Sequence, residues 1–408
     1  MEFPDRPSVE DVDAASAGDA APAPDGVVVV GVPAGYAALE AHRALGTGAD
    51  VMLMTHGVTA DDEVLLKRRA RDAGRLLMGP GCEALVRDGI GIGFTNVVAQ
   101  GRVGVVATSG SSAQEAMVLL DRFGVGVSQC IVTGRRDLSE AVGGLATFDA
   151  IARLADDPAT EVLLLVADAW SPEVMRHVLP AMAASGTRAA ACVVGAEHMK
   201  GPAGVEVASA IDAGALAAAR LAGATPVIPA TEPTGWVSAG HVRGIFSGPG
   251  TCAEAAAILA ERLGRVVSNA PAGHAEMLGP DDVVRGHACL DVATAALAHG
   301  ATHPVEDPEP MARLLLDTVA DQTVAVVLLC VVLGRGAHPD PVGAIAPALT
   351  RALQARPSLQ VVAHVVGTEA DPQVLSAQQS ALEALGVRVV PTSGQAARLA
   401  AALVRPGR

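Results

Sequence analysis

The turn Ser109–Ser112 is the first place in this sequence where residue types and spacing favour chemistry. It lies between an apolar run, Val103–Thr108, that predicts a buried strand and a segment, Ala113–Phe123, that predicts a helix. Unpaired N–H groups and the positive end of the helix dipole meet at such a turn, and small side chains let an anion approach closely. We predict an anion-binding site, with phosphate as the candidate ligand, here. The alternative is ordinary N-capping by serine, which many helices use without a ligand.

The same pattern returns later in the chain. The segment Val105–Ala116 (VVATSGSSAQEA) resembles Ile245–Ala255 (IFSGPGTCAEA) with one gap, and both predict a strand, a Ser-Gly turn and a helix. Asp156–Val166 and Asp321–Val331 form a second similar pair. This internal similarity predicts that the last third of the chain duplicates the middle third. The candidate phosphate-binding residues of the two turns are Ser109, Gly110, Ser111, Ser112, Ser247, Gly248, Gly250 and Thr251.

Another turn, Thr133–Asp137 (TGRRD), carries two arginines and follows the strand predicted over Val127–Val132. Guanidinium groups suit planar or phosphoryl oxyanions. We predict that Gly134 and Arg136 bind phosphate and that Arg135 stabilises charge during catalysis. A solvated turn with a capping aspartate is the alternative.

Two loops combine histidine, proline and aspartate, and they supply candidates for proton transfer. His338 and Asp340 follow the long apolar strand Val324–Leu333, and His303 and Asp307 lie in a similar loop. An imidazole near a carboxylate can act as acid or base near pH 7, although a loop histidine is more often structural. The spacing of these histidines does not match a metal site, so no metal is predicted.

These residues need a scaffold that brings strand ends together, and alternating apolar strands and helices supply it. The predicted fold class is α/β: a Rossmann-like domain followed by two duplicated flavodoxin-like domains. The turn after the first strand carries the candidate cofactor-binding residues Gly31, Pro33 and Gly35, but it lacks a full dinucleotide fingerprint. The predicted boundaries are a disordered tail over 1–25, the Rossmann-like domain over 26–100, the flavodoxin-like domains over 101–225 and 241–408, a linker over 226–240, and an insertion over 280–310.

Composition narrows the class of protein. The formal net charge is −15 and the sequence has no Lys/Arg block, which argues against a nucleic-acid partner. No window reaches the roughly 18 uncharged apolar residues of a membrane span. The six cysteines are dispersed, and the N-terminal segment is acidic without an apolar core, so we expect a cytoplasmic protein that acts on a small molecule.

Four motifs in a fixed order resemble the FdrA family. That family is similar to a fusion of the succinyl-CoA synthetase α-subunit, with its CoA-binding and ligase domains, and the ligase domain of the β-subunit. The resemblance implies that the first domain is of the CoA-binding type and the two later domains are of the ligase type. The four motifs are GPGCEAL at Gly79–Leu85, GVVATSGSSAQEA at Gly104–Ala116, VTGRRDLSEAVGG at Val132–Gly144 and GRGAHPDPVGAIAPA at Gly334–Ala348.

The resemblance also implies a function. FdrA proteins resemble a subunit of oxamate carbamoyltransferase, which works with partner subunits and converts oxalurate and phosphate into oxamate and carbamoyl phosphate in allantoin breakdown. Phosphate or carbamoyl phosphate would be the co-substrate, with CoA as a possible ligand. The synthetase's phosphohistidine motif has no match in Val194–Val207, where only His198 stands. A CoA ligase of the synthetase type and a non-catalytic scaffold subunit are the alternatives.

Overall fold

The computed structural model describes residues 26–232, 237–279, 281–294 and 302–405. Within these ranges the chain forms three β-sheets with helices between their strands. The predicted α/β class is confirmed, and the predicted tail lies outside the described residues. No helix in the described ranges is long and apolar enough to cross a membrane.

The first sheet is small, parallel and ordered β1-β2-β3. Helix α2 begins after Thr59, whose side chain accepts the N–H of Asp62, and acidic residues in its first turn complement the helix dipole. The elements of this unit are β1 Val27–Val30, α1 Ala34–Gly46, β2 Asp50–Leu53, α2 Ala60–Asp72 and β3 Leu77–Met78.

The second sheet has the order β10-β9-β8-β6-β7-β4-β5. Its parallel part is flavodoxin-like, because the chain starts at the central strand β6, moves to β7 on one side and then crosses to β8, β9 and β10 on the other. The elements are β4 Ala84–Arg87, β5 Ile90–Gly93, β6 Gln100–Ala107, α3 Gly110–Arg122, β7 Val127–Val132, α4 Leu145–Ala155, β8 Val162–Ala167, α5 Pro172–Ala184, β9 Arg188–Val193, β10 Val205–Ala208 and α6 Ile211–Leu221.

The hairpin β4–β5 differs from the sequence prediction. We expected residues up to Gln100 to belong to the first domain, but β4 pairs antiparallel with β7 through Leu85 and Ile131. The hairpin therefore extends the second sheet. The physical reason is that Ala84, Leu85 and Val86 are apolar and buried against the core of that sheet.

The third sheet is parallel throughout its described strands, in the order β13-β12-β14-β11-β15-β16-β17. The elements are β11 His241–Phe246, α7 Pro249–Leu263, β12 Val266–Ser268, β13 Glu276–Met277, β14 His287–Asp291, α8 Glu309–Ala320, β15 Val324–Val332, α9 Pro341–Ala355, β16 Gln360–Val366, α10 Leu375–Ala384, β17 Arg388–Val390 and α11 Ser393–Ala402.

The third sheet repeats the second with one change. In the second sheet the strand that follows the repeated helix, β7, lies beside the central strand β6, whereas in the third sheet β14 takes that place and β12 is displaced outward. Strand β14 falls inside the predicted insertion over 280–310. That segment is therefore not simply a surface loop, because its buried residues 287–291 form part of the sheet.

The two repeated helices meet at their N-termini. The N–H of Gly250 in α7 donates to Oγ of Ser111 in α3 at 2.8 Å. A Cβ added at Gly250 would lie 2.3 Å from Oγ of Ser109, and one added at Gly248 would lie 2.5 Å from Cβ of Ser111. The close approach of the two turns therefore requires glycine at both positions.

Candidate functional site

One cleft of about 200 Å³ opens where the loops after β2, β3, β6 and β7 converge. Helix α7 and the residue Thr294 border it from the third unit. Open α/β sheets place ligands at this carboxyl edge. The residues that line the cleft are His56, Gly57, Glu63, Pro80, Gly81, Glu83, Thr108, Ser109, Gly110, Arg135, Arg136, Pro249 and Thr294.

The serine hydroxyls of the first predicted turn are engaged within the protein. The buried carboxylate of Asp168 accepts hydrogen bonds from Oγ of Ser109 and, at 2.9 Å, from Oγ of Ser112. Oγ of Ser111 accepts the N–H of Gly250. The turn therefore offers a ligand its backbone rather than its side chains, since helix geometry leaves the N–H groups of Gly110 and Ser111 without intrahelical acceptors.

The second predicted turn, Ser247–Thr251, is closed. Its Gly248 and Gly250 lie against the first turn, and Thr251 is fully buried. Pro304 and Val305 face Ser247 across a residual void of about 10 Å³. The predicted phosphate site at this turn is therefore not accessible, because the first turn packs against Gly248 and Gly250 and the Pro304–Val305 part of the predicted insertion covers Ser247.

Arg135 and Arg136 line the cleft, and each contacts a different carboxylate. Nε of Arg135 lies 3.1 Å from the Asp168 carboxylate, and Nε of Arg136 lies 2.8 Å from Glu63. Gly134, with φ +97°, carries the turn so close to Gly79 that a Cβ would lie 2.8 Å from its carbonyl carbon. Gly134 therefore shapes the turn, and the guanidinium groups supply its positive charge.

Two histidines flank a carboxylate at the floor of the cleft. Nε2 of His56 lies 2.8 Å from Oε1 of Glu83, and Nε2 of His303 lies 3.4 Å from the same oxygen. Burial raises the pKa of Glu83, but His303 and His56 outweigh burial and lower that pKa to about 2. Burial lowers the pKa of His56, but its hydrogen bond to Glu83 and the charge of Glu83 raise it above the ordinary value. The ionised carboxylate of Glu83 thus favours the protonated form of His56.

His303 reaches this cluster from the third unit. Its Nδ1 accepts the N–H of Val305 at 3.1 Å, and its ring lies 4.8 Å from the ring of Phe94. Its Nε2 is buried and has no aligned hydrogen-bond partner among the described residues. The predicted partner Asp307 instead accepts the N–H of Glu309 at the start of α8. His303 is therefore paired in space with Glu83 and not with Asp307.

His338 and Asp340 do not line the cleft. The carboxylate of Asp340 caps α9 by accepting the N–H of Gly343 at 3.0 Å, and it also accepts from Gln378. Nδ1 of His338 accepts the N–H of Asp340. These two residues form a capping turn, because an aspartate before a proline at the first helical position satisfies the open N–H groups of a helix.

The first-unit turn is exposed. Among the described residues, no atom beyond the chain neighbours and the backbone of the same helix lies within 4 Å of a Cβ added at Gly31 or Gly35. Pro33, which precedes α1, supplies no side-chain cap to that helix. No other part of the described chain therefore covers the N-terminus of α1 at the carboxyl edge of the first sheet.

Sequence reasoning missed His56, Glu83 and Asp168. His56 and Glu83 each follow a short strand of the first sheet, and Asp168 follows β8 directly, so their position at strand ends was the available signal. No group of three or more His, Cys, Asp or Glu side chains within the described ranges is arranged to hold a metal ion.

These sheets, with their paired Ser-Gly turns, form an α/β fold that is similar to succinyl-CoA synthetase. The family model described as CoA-ligase matches residues 245–403. The chain belongs to the family of the Escherichia coli (strain K12) protein described as uncharacterized protein YahF, with which it is 33% identical over 405 residues, 93% of this chain and 77% of that protein. The FdrA resemblance stays a prediction.

Shorter similarities extend to ligase subunits. The succinate–CoA ligase [ADP-forming] subunit alpha of Methanothermobacter thermautotrophicus is 27% identical over 143 residues, 34% of this chain and 47% of that subunit. The mitochondrial subunit alpha-2 of Trichomonas vaginalis is 30% identical over 142 residues, 34% of this chain and 45% of that subunit. The chain thus spans less than half of each subunit. The solved dinucleotide-forming acetyl-coenzyme A synthetase 1 of Ca. Korarchaeum cryptofilum aligns at 16% identity and a TM-score of 0.40, over 97% of this chain and 84% of that one.

Proposed function

We propose that this chain is the acyl-transfer component of a CoA-ligase-type enzyme, which interconverts acyl-CoA plus phosphate and acyl phosphate plus CoA. One observation carries the proposal: the N-terminus of α3, the side chain of Arg135 and the His56–Glu83 pair border the same cleft. The first two suit a phosphate or an oxyanion, and the third suits proton transfer. The similarity to CoA-ligase sequences supports the same chemistry.

The residues divide the reaction between them. Arg135, oriented by Asp168, and the N–H of Gly110 would bind phosphate and stabilise the oxyanion that forms when a phosphate oxygen attacks the thioester carbonyl. Collapse of this tetrahedral species breaks the C–S bond and leaves a thiolate. Protonated His56 would give its proton to that sulfur, and in the reverse direction it would take the proton from the thiol. Glu83 stays ionised throughout because its pKa is about 2.

The first unit offers a place for CoA. The phosphates of CoA carry negative charge. The N-terminus of α1, beside Gly31, Pro33 and Gly35, can bind an anion through its backbone N–H groups. CoA would supply the thiol. The similar ligases are named as subunits, so a partner chain that supplies the nucleotide step is part of the proposal.

Carbamoyl transfer, which the FdrA resemblance implies, would use the same acyl-phosphate chemistry. The similar proteins with a named activity are CoA ligases, so we favour transfer to CoA and keep carbamoyl phosphate as one arm of the experiment. A scaffold without turnover is the remaining alternative.

The experiment combines the chain with CoA and either acetyl phosphate or carbamoyl phosphate, and it follows phosphate release by ³¹P NMR and thioester formation by absorbance. We expect CoA-dependent phosphate release that falls about 100-fold or more in Arg135→Ala, since such losses accompany removal of one oxyanion donor. Arg102→Ala, which removes an exposed guanidinium away from the cleft, is the matched control. Absence of turnover together with absence of CoA binding by calorimetry would reject the proposal.

A further inference from the structure

The two oxygens of the Glu83 carboxylate have different neighbours. Oε1 faces two imidazoles, with Nε2 of His56 at 2.8 Å and Nε2 of His303 at 3.4 Å. Oε2 lies beside the start of α3, since a Cβ added at Gly110 would be 3.5 Å from it. The positive end of a helix dipole favours an ionised carboxylate at that place. The proposed function uses His56 and Glu83 and leaves His303 without a role.

The loop of His303 decides which nitrogen of its ring carries the hydrogen. Nδ1 accepts the N–H of Val305 at 3.1 Å. A ring nitrogen that accepts a hydrogen bond carries no hydrogen, so the hydrogen of this imidazole lies on Nε2. Nε2 is buried and has no aligned acceptor in the described ranges, and Oε1 of Glu83 is a carboxylate oxygen within 4 Å of it. A buried N–H without an acceptor is costly, which favours any movement that brings Oε1 into line.

The His303 ring is held more firmly than an ordinary loop side chain. The N–H of Glu306 donates to the carbonyl of His303 at 2.8 Å, and the N–H of His338 donates to the carbonyl of Val305 at 2.8 Å. The ring also packs against Phe94, with 4.8 Å between the ring centres, and more than nine-tenths of the residue is buried. The donor is therefore fixed, and the carboxylate is the group that shifts to meet it.

We propose that His303 is a positioning residue for the acid–base pair: when His56 gives up its proton, the Nε2–H of His303 donates to Oε1 of Glu83 and compensates the carboxylate for the lost positive charge. The inference rests on the proposed function for the direction of that proton, which passes from His56 to the sulfur. His303 keeps its own hydrogen throughout, so the step needs no further acceptor. Because His303 belongs to the third unit, the pair depends on the contact of that unit with the other two.

The sign of the expected effect follows from the number of donors to Glu83. Without the N–H of His303 the carboxylate attracts protons more strongly, so its own pKa and the pKa of His56 should both rise. The other charged groups of the site stay in place: Glu63, Arg135 and Arg136 line the cleft, and Asp291 acts on His56 through its charge.

The test compares two substitutions that differ at one atom of interest. His303→Phe keeps a ring against Phe94 and removes the donor, whereas His303→Gln keeps an N–H near the position of Nε2. Both lose the acceptor for Val305, so the difference between them reports the Nε2–H alone. His274→Phe, an exposed substitution in the third unit, is the matched control.

The readouts are NMR measurements that do not need turnover. Long-range ¹H–¹⁵N correlation in the wild type, at a pH above the histidine midpoints, should place the hydrogen of His303 on Nε2. In His303→Phe the carboxyl ¹³C midpoint of Glu83 should rise by about one pH unit, since a hydrogen bond to a charged group contributes about that much. The His56 midpoint should also move to higher pH. His303→Gln and His274→Phe should leave both midpoints close to those of the wild type.

Three results would each overturn the inference: a hydrogen on Nδ1 of His303 in the wild type, an unchanged or lower His56 midpoint in His303→Phe, or equal shifts in His303→Phe and His303→Gln. The first needs no variant, so it decides the question even if a substituted protein does not fold. If the midpoints move as expected but the wild type transfers no acyl group to CoA, the proposed function fails and the positioning of Glu83 by His303 stands.

Discussion

Glu115 and Glu254 occupy the same position of the two repeated helices, and each caps the last helix of the opposite unit. The carboxylate of Glu115 in α3 accepts the N–H of Ser393 at the start of α11 at 3.0 Å, and that of Glu254 in α7 accepts the N–H of Ile211 at the start of α6 at 2.6 Å. Both side chains are fully buried. The duplicated units are therefore joined by a reciprocal pair of polar contacts as well as by apolar surface.

The two glutamates differ in charge, which gives a first prediction. Burial, followed by the charge of Asp212, raises the pKa of Glu254 to about 8. A folded-state pKa above the unfolded value of about 4.3 means that stability is present at low pH and is lost as pH rises toward 8. Glu254→Gln removes this titration. We expect the free energy of unfolding of the variant, measured by urea titration, to increase relative to that of the wild type as pH rises from about 5 to about 8.

Glu115→Gln is the matched comparison. Burial raises the pKa of Glu115, but the charge and hydrogen bond of His364 at 2.7 Å outweigh burial and lower it. The substitution replaces the carboxylate that His364 and the N–H of Ser393 contact with a neutral amide, so we expect a loss of about 1–3 kcal/mol at pH 7. Equal changes in the free energy of unfolding for Glu254→Gln and Glu115→Gln at pH 7 would contradict the opposite pKa shifts of the two glutamates.

The contact between the repeated turns gives a second prediction. Gly250→Ala places a Cβ 2.3 Å from Oγ of Ser109 and 2.7 Å from Cβ of Ser112, so one turn must move. We expect a loss of about 1–3 kcal/mol, typical of overpacking, measured as the free energy of unfolding. Gly35→Ala is the control, because its new Cβ has no tertiary neighbour within 4 Å in the part of the chain that the structure describes. A Gly250→Ala protein as stable as Gly35→Ala would show that the turns do not meet as described.

Lys67 gives a third prediction. The sequence has two lysines, Lys67 and Lys200. Nζ of Lys67 is buried and donates to the carboxylates of Glu63 and Asp137 at 2.6 and 2.8 Å, whereas Lys200 is exposed. An amine-reactive reagent should label Lys200 in the native protein and Lys67 only after unfolding, as followed by peptide mass spectrometry. Rapid native labelling of Lys67 would contradict its buried ion pairs.

The same lysine can be tested by substitution. Lys67→Met leaves the buried carboxylate of Asp137 without its cation and leaves Glu63 with Arg136 alone, and we expect a loss of about 3–5 kcal/mol in the free energy of unfolding. Lys200→Met removes an exposed charge and should stay within about 0.5 kcal/mol of wild type.

Much of the fold followed from local pattern, and the site followed less well. Strand-to-helix periodicity predicted Ser109–Ser112 and Arg135 at one sheet edge, because the carboxyl ends of parallel strands meet there. The pairing of His303 with Glu83 depends on how the third unit folds against the first two, and no local pattern encodes that contact. Asp340 was assigned to proton transfer because residue type alone cannot distinguish a catalytic aspartate from a helix cap.

The His56–Glu83 pair gives the last prediction. Glu83→Gln removes the negative charge that raises the pKa of His56 and leaves a neutral amide oxygen as the acceptor, so burial, which lowers that pKa, gains weight. We expect an NMR titration to give a lower midpoint pH for His56 in Glu83→Gln than in the wild type. The His56 resonance is assigned by its loss in His56→Gln. The control Glu383→Gln, an exposed substitution on α10, should leave the midpoint unchanged. The pKa of Glu83 is lowered to about 2, so its contribution to stability is present above about pH 4.3 and is lost as pH falls through 2. The free energy of unfolding of Glu83→Gln should therefore fall less steeply with decreasing pH than that of the wild type. An unchanged His56 titration would show that Glu83 does not control that proton, and the proposed acid–base role of the pair would have to be abandoned.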